Sequence, residues 1–293
     1  MTLSEEITQI RRIQLLPSRP AVGIFAGEYR SSFKGKGLEF DQLREYQPGD
    51  DVRSIDWNVT ARSSSTFVRQ FVEERELTVM ILLDISPSFS FGTSRQLKSR
   101  TATEVVALLA GAAIRNNDKV GLLLFTDRIE LYVPPKKGNR QLFKLIREAL
   151  FMKPVGKGTD IAGALEYFER VTKQSALLFL ISDYTSPVFS LPLLRITARH
   201  DLVAIAITDP AETDLPEAGV IMLEEPETGE RFLVDTDNPR LRHRYQHIGK
   251  QLREQRRKGL HRAGADFVEI TPDDSYFQTL VGFFRQRGRR VRR

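Results

Sequence analysis

Leu77-Thr78-Val79-Met80-Ile81-Leu82-Leu83-Asp84-Ile85-Ser86-Pro87-Ser88 is a short apolar run, rich in strand formers, that stops on a carboxylate. Runs of this kind suit a central parallel strand buried on both faces. Outward from it the pattern alternates. Residues 99–115 place Val105, Leu108, Leu109 and Ala112 on one helical stripe. Residues 119–126 and 129–133 read as strands, and 139–150 and 159–172 as helices. Residues 176–182 form a second all-apolar strand, again followed by an aspartate, Asp183. A helix at 192–199, strands at 202–208 and 265–270 and a helix at 275–285 complete the series. Strands alternating with helices of this length predict an α/β fold, a doubly wound, mostly parallel sheet with helices on both faces.

The flanks differ in character. Residues 4–15 carry Ile7, Ile10, Ile13 and Leu15 at helical spacing. Residues 23–76 are rich in glycine, serine and charge and are expected to form β-strands and ordered loops. Residues 220–223 and 231–234 flank Glu224-Glu225-Pro226-Glu227-Thr228-Gly229-Glu230, the signature of a β-hairpin over 220–235. Asn238-Pro239 then caps a helix running to about residue 258, with Leu241, Tyr245, Ile248 and Leu252 as its apolar stripe. The expected organisation is an N-terminal helix with an appended β-rich segment over 1–76, an α/β domain over 77–285, and a basic tail over 286–293.

With 293 residues the chain can bury a full core. It has no cysteine, which excludes disulfides, zinc-thiolate sites and cysteine nucleophiles. The net charge of +6 resides in the six arginines of residues 285–293; the rest of the chain is neutral. Such a tail is expected to be a solvated terminus, with nucleic acid or an acidic partner as the alternative. No signal peptide or membrane-spanning run is present, so a cytoplasmic protein is expected.

In open α/β sheets, ligands bind beyond the carboxyl ends of the strands, where strand order reverses. Asp84 and Asp183 end two of the best strands. A tight loop after the first brings Asp84, Ser86 and Ser88 to one point, and Thr159 precedes a helix in Gly156-Lys157-Gly158-Thr159-Asp160. Two carboxylates and three hydroxyls make an all-oxygen donor set, which suits a hard cation such as Mg²⁺, with Mn²⁺ or Ca²⁺ as substitutes. With two formal negative charges the site should bind metal weakly alone and leave a position for an outside carboxylate. The competing reading is a hydrogen-bonded strand-to-helix turn; the coincidence of Thr159 and Asp183 favours metal.

Asp84-x-Ser86-x-Ser88, Thr159 and Asp183, in this order, resemble the metal-ion-dependent adhesion site of von Willebrand factor A domains. The resemblance implies Ser86, Ser88 and Thr159 as direct ligands, Asp84 and Asp183 acting through water, and Asp160 behind them. A second resemblance covers residues 35–92. Gly35-Lys36-Gly37-Leu38-Glu39-Phe40, Leu43-Arg44-Glu45-Tyr46-Gln47-Pro48-Gly49-Asp50-Asp51, Arg53-Ser54-Ile55-Asp56-Trp57 and Thr60-Ala61-Arg62 are similar to the signature of the bacterial DUF58 family. That resemblance implies a metal-site adaptor working beside a MoxR-type AAA+ ATPase or its client. Phe89 stands where related sites often have methionine, and many relatives carry transmembrane helices. The segment with Asp50, Asp51, Arg53, Asp56 and Trp57 is expected to form a buried ion-pair network that docks it, with partner binding as the alternative.

Other chemistries are less well matched. A haloacid-dehalogenase-type phosphatase needs a second aspartate two residues after the first, and here that position is Ser86. No Gly-x-Ser-x-Gly or full Walker A spacing is present. His243 and His247 stand four apart, but Arg244 breaks the metalloprotease pattern. Catalysis is therefore not expected; a metal-assisted phosphoesterase is the alternative, and nucleic-acid binding through the tail a second one.

Overall fold

The computed structural model describes residues 19–33, 39–63, 65–72, 76–90, 92, 97–185, 191–225, 227–272 and 275–291. The helix expected over 4–15 lies outside them. The chain opens with α1 (Arg19–Ser32), β1 (Glu39–Glu45), the one-turn helix α2 (Trp57–Thr60) and β2 (Phe67–Val72). Then come β3 (Thr78–Asp84), α3 (Lys98–Arg115), β4 (Lys119–Phe125), β5 (Ile129–Lys136), α4 (Asn139–Phe151) and α5 (Ile161–Val171). The last part holds β6 (Leu177–Ser182), α6 (Leu191–Arg199), β7 (Asp201–Ile207), β8 (Val220–Glu224), β9 (Arg231–Asp235), α7 (Pro239–Arg262), β10 (Asp266–Ile270) and α8 (Tyr276–Val291).

The two apolar runs form the middle of a six-stranded sheet, ordered β10-β7-β6-β3-β4-β5. All neighbours are parallel except β4 and β5. Every residue from Val79 to Asp84 and from Leu177 to Ser182 is buried, as strands covered on both faces require. Leu178 and Leu180 pack with Leu165, Phe168, Leu193 and Ile196 of α5 and α6. On the opposite face, Phe179 meets the edge of Phe284 in α8 at 6.2 Å. Strand order reverses between β3 and β6, so the switch point lies between the ends carrying Asp84 and Asp183.

Three parts differ from expectation. Residues 23–32 are helical, not strand or loop. Phe25 and Tyr29 of α1 are buried and pack edge-on against Phe284, at 5.2 and 6.1 Å, an interaction that sequence spacing does not reveal. By contact the chain divides into Phe33–Leu77 and the remainder, so α1 belongs with the sheet and not with the β-rich segment. Second, α8 continues through residues 286–291. Arg285 pairs with Glu28 at 3.0 Å, and Arg287 with Asp201 and Asp266, so these arginines are used inside the fold. Third, Ile248 and Leu252 of the α7 stripe are exposed, and Leu260 is the helix's buried residue.

In the unit Phe33–Leu77, β1 and β2 pair antiparallel. Arg44 donates twice to Asp50, at 2.9 and 2.6 Å, and both side chains are partly exposed. Asp56 is buried, but its carboxylate caps α2 by accepting from Asn58 and Val59 N–H. The Arg44–Asp50 pair is thus a partly exposed local clamp; the side chain of Arg53, expected in a network with it, lies outside the described residues. Asp50 is expended on its own turn.

Candidate metal centre

Asp84 is the last residue of β3 and has no exposed surface. Its Oδ1 accepts from Ser86 N–H at 2.9 Å, which folds the chain back immediately after the strand. Its Oδ2 accepts from Ser182 Oγ at 2.8 Å, across the switch point from the end of β6. The turn brings Ser86 Oγ and Ser88 Oγ to 2.9 Å from each other, both buried. Ser88 also hydrogen-bonds the Asp183 carboxylate. Asp84, Ser86, Ser88 and Asp183 therefore form one cluster.

Asp183 has further partners. Its Oδ2 accepts from Lys98 Nζ at 2.9 Å, and its Oδ1 from Thr185 N–H and Oγ1 at 3.2 and 3.1 Å. Lys98, in the first turn of α3, is fully buried and also donates to Glu212 Oε1 at 2.6 Å. The next residue, Tyr184, has φ of 55°. That left-handed backbone costs roughly 1 kcal/mol in a non-glycine residue. It is held by Tyr184 O–H donating to Leu180 O at 2.7 Å and Tyr184 N–H to Ser182 Oγ at 3.0 Å.

The charges follow from these contacts. Burial, reinforced by the Asp183 charge, pushes the Asp84 carboxyl up to about 7. Burial acts on Asp183 in the same direction, but the Lys98 ammonium and the hydroxyl donors outweigh it and hold that carboxyl below its usual range. Lys98 is itself raised: burial works to lower it, and Asp183 and Glu212 prevail. Asp183 is thus neutralised within the protein, whereas the Asp84 charge is not.

Thr159 stands on a separate loop, between α4 and α5. The loop before it is pinned by Glu130, whose carboxylate accepts from Thr126 Oγ1, Val155 N–H and Gly156 N–H at 2.9, 3.0 and 2.7 Å. A Cβ at Gly156 would overlap Thr126 Oγ1 and Asp127 Oδ1, so only glycine allows this approach. Thr159 Oγ1 donates to Glu227 Oε1 at 3.1 Å. Asp160 caps α5, accepting from Gly163 N–H at 2.9 Å.

Among the described residues no three carboxylates or imidazoles converge on one point, so any cation here depends on the hydroxyls. His243 and His247 are exposed on α7. A cleft of about 560 Å³ between the ends of α7 and α8, lined by Lys258, His261, Arg262, Arg287 and Arg290 among others, shares no residue with the cluster.

The family model described as "Protein of unknown function DUF58" matches residues 42–256. This chain belongs to the DUF58 family. An uncharacterized protein of Mycobacterium tuberculosis is 29% identical to the DUF58 chain over 285 residues, 96% of this chain and 89% of that protein. Among solved structures, the conserved hypothetical protein BatB from Bacteroides thetaiotaomicron shares 16% identity, covering 73% of this chain and 99% of its own, with a TM-score of 0.47. The SpRpn10 VWA domain shares 12% identity over 71% and 94% of the two chains, with a TM-score of 0.38. The α/β fold of the DUF58 chain is read from its own strand order. Among its described residues no helix is long and apolar enough to cross a membrane.

Sequence reasoning did not single out Lys98, Ser182, Glu212 or Glu227. Lys98, Ser182 and Glu212 join the cluster, and Glu227 meets Thr159, by contacts over 60 or more positions, and none has a spacing signal. Only the position of Ser182 beside Asp183 at a strand end offered a hint.

Proposed function

We propose that this DUF58 protein is a cytoplasmic, non-enzymatic interaction module that holds Mg²⁺ at Asp84, Ser86, Ser88, Thr159 and Asp183 and engages an acidic residue of a protein partner through it. The observation that carries this reading is the convergence of Asp84, Ser86, Ser88 and Asp183 at the switch point of the sheet. Adjacent oxygens in an octahedral Mg²⁺ shell stand about 2.9 Å apart, from metal–oxygen distances of about 2.1 Å. The Ser86 and Ser88 hydroxyls already have that separation. Asp183 has its lone pairs largely taken by Lys98, Thr185 and Ser88, which suits a role through water. The uncompensated Asp84 supplies the negative charge that draws a cation in. A bound cation would contribute Lewis-acid coordination of the partner's carboxylate. Asp160 acts behind Thr159 by starting α5. None of the chain's four histidines belongs to the cluster, which supports binding over hydrolysis. A MoxR-type AAA+ ATPase, or its client, is the partner we propose from the DUF58 resemblance.

The test is affinity capture of the tagged chain from its own lysate in Mg²⁺ and in chelator, with Asp84→Ala and Ser88→Ala alongside. An AAA+ ATPase retained only with metal and an intact site is the expected result. Equal capture under all conditions would sink the metal-bridged reading.

A further inference from the structure

The cleft of about 560 Å³ between the last turns of α7 and the second half of α8 lies at the rim where β10 begins, and cations from both helices meet in it. Among the described residues its lining sets five Arg and Lys side chains against two carboxylates, a surplus of three positive charges. Each carboxylate is shared by two cations. Glu254 holds Arg257 at 3.2 Å and Lys258 at 3.4 Å, and Asp266 holds Arg287 and, at 3.8 Å, Arg290. Arg262 is the fifth cation and stands outside both groups. The turn that follows it is fixed: Gly264, at φ 83°, donates its N–H to His261 O, and Ala265 N–H donates to Leu260 O, both at 3.0 Å. The last carbonyls of α7 thus have backbone partners, so the cations gathered there are more than an answer to the helix dipole. The remaining wall is apolar. Phe283 is half-buried with its ring edge-on to Phe284 at 5.2 Å, and Phe267, also half-buried, packs against the core.

We propose that this cleft binds a free nucleotide, with its phosphates on the guanidinium groups and its base against the phenylalanine rings. The surplus charge calls for a multiply charged anion, and guanidinium forks match phosphate oxygens two at a time. Aromatic rings beside those cations accept a planar base by stacking. The volume is that of a small-molecule site and exceeds what a lone phosphate fills. The chain has no Walker A spacing, so side chains and not a glycine-rich loop hold the phosphates. This inference is independent of the metal-site reading, since the cleft and the strand-end cluster have no residue in common.

The test is calorimetric titration of the full chain with ATP at low salt in chelator, which keeps the metal site out of the measurement. ATP is expected to bind, and the pair Arg257→Gln and Arg262→Gln to weaken it about tenfold through loss of charge-assisted contacts. Phe283→Leu should weaken ATP about fivefold and leave tripolyphosphate binding unchanged. The pair Arg240→Gln and Arg244→Gln removes the same charge at the other end of α7 and should change neither. All four arginines are exposed, so these variants keep the fold, which circular dichroism checks. No ATP binding by the unaltered chain, or equal losses in the two arginine pairs, would overturn the proposal. Tripolyphosphate binding as tightly as ATP would overturn the nucleotide assignment by reducing the cleft to a general anion site. Oligothymidylate binding more tightly than ATP, and lost in the same variants, would overturn it in favour of single-stranded nucleic acid.

Discussion

Lys98 connects three elements through one ammonium group. It is buried at the start of α3, donates to Asp183 after β6 and to Glu212 in the turn after β7, and lies 5.6 Å from the Phe89 ring centre. Replacing one member of a buried ion cluster leaves the others unpaired, which costs more than the pair contributes. Lys98→Met is therefore expected to destabilise the protein by about 2–4 kcal/mol in urea unfolding. Asp84 behaves in the opposite way. Its carboxyl is pushed up to about 7, so at pH 8 it is ionised at a cost to the folded state. Asp84→Asn should raise the stability of the metal-free protein at pH 8 by on the order of 1–3 kcal/mol while abolishing any stabilisation by added Mg²⁺. Thermal unfolding with and without Mg²⁺ reads both effects, and a loss of stability in metal-free Asp84→Asn would contradict the charge assignment. The contrast between the two residues also marks what sequence reveals. Asp84, Ser86, Ser88 and Asp183 could be read because strand ends and short spacings are local. Lys98 could not, because its role exists only once α3, β6 and the turn after β7 have met.

Elements are legible where their burial is two-sided or their stripe is strong. β3 and β6 needed only an apolar run, and α3 only its periodicity. α1 escaped because its partner surface, Phe277 and Phe284 in α8, is some 250 positions away in sequence. The α7 stripe was visible, but periodicity states that a face is apolar without stating that anything covers it. At the junction of α6 and β7 the sequence placed no special weight on His200. It is buried there, its Nδ1 accepts from Ala176 N–H at 3.2 Å, and its ring stands edge-on to Phe168 at 5.0 Å. Burial and the neighbouring Arg199 hold its pKa below the unfolded value of about 6.5, with Glu169 opposing weakly. The unfolded chain therefore takes up a proton here before the folded one. The stabilisation from His200 is complete above the unfolded value and is lost as pH falls through it toward the folded value. His200→Asn, which retains an acceptor, should flatten the decline in stability between about pH 7 and 5. An unchanged slope would mean that His200 does not titrate in this window.

At the scale of the whole molecule, the sheet has a different helical cover on each face. One face is closed by α5, α6 and part of α7, the other by α1, α3 and α8. The second cover joins helices from both ends of the described chain to α3, with Phe284 fully buried against Phe25, Tyr29 and Phe179. Phe284→Ala should cost about 3–5 kcal/mol in chemical denaturation, the range for emptying a buried aromatic site. Removal of residues 1–32 should expose the same surface and lower the melting temperature sharply. A truncated chain melting like the full one would show that α1 is dispensable.

The arginines of α8 also fix a direction. Arg287 ties the last turns of that helix to Asp201 and Asp266, the first residues of β7 and β10, whereas Asp84 and Asp183 stand where β3 and β6 finish. Strands of six or seven residues separate these two rims by roughly 20 Å. A bead, sensor chip or dye coupled at the end of α8 would therefore hold the sheet upright, with the carboxylate rim facing away from the support. The molecule has a natural handle at the end where its proposed metal chemistry is not.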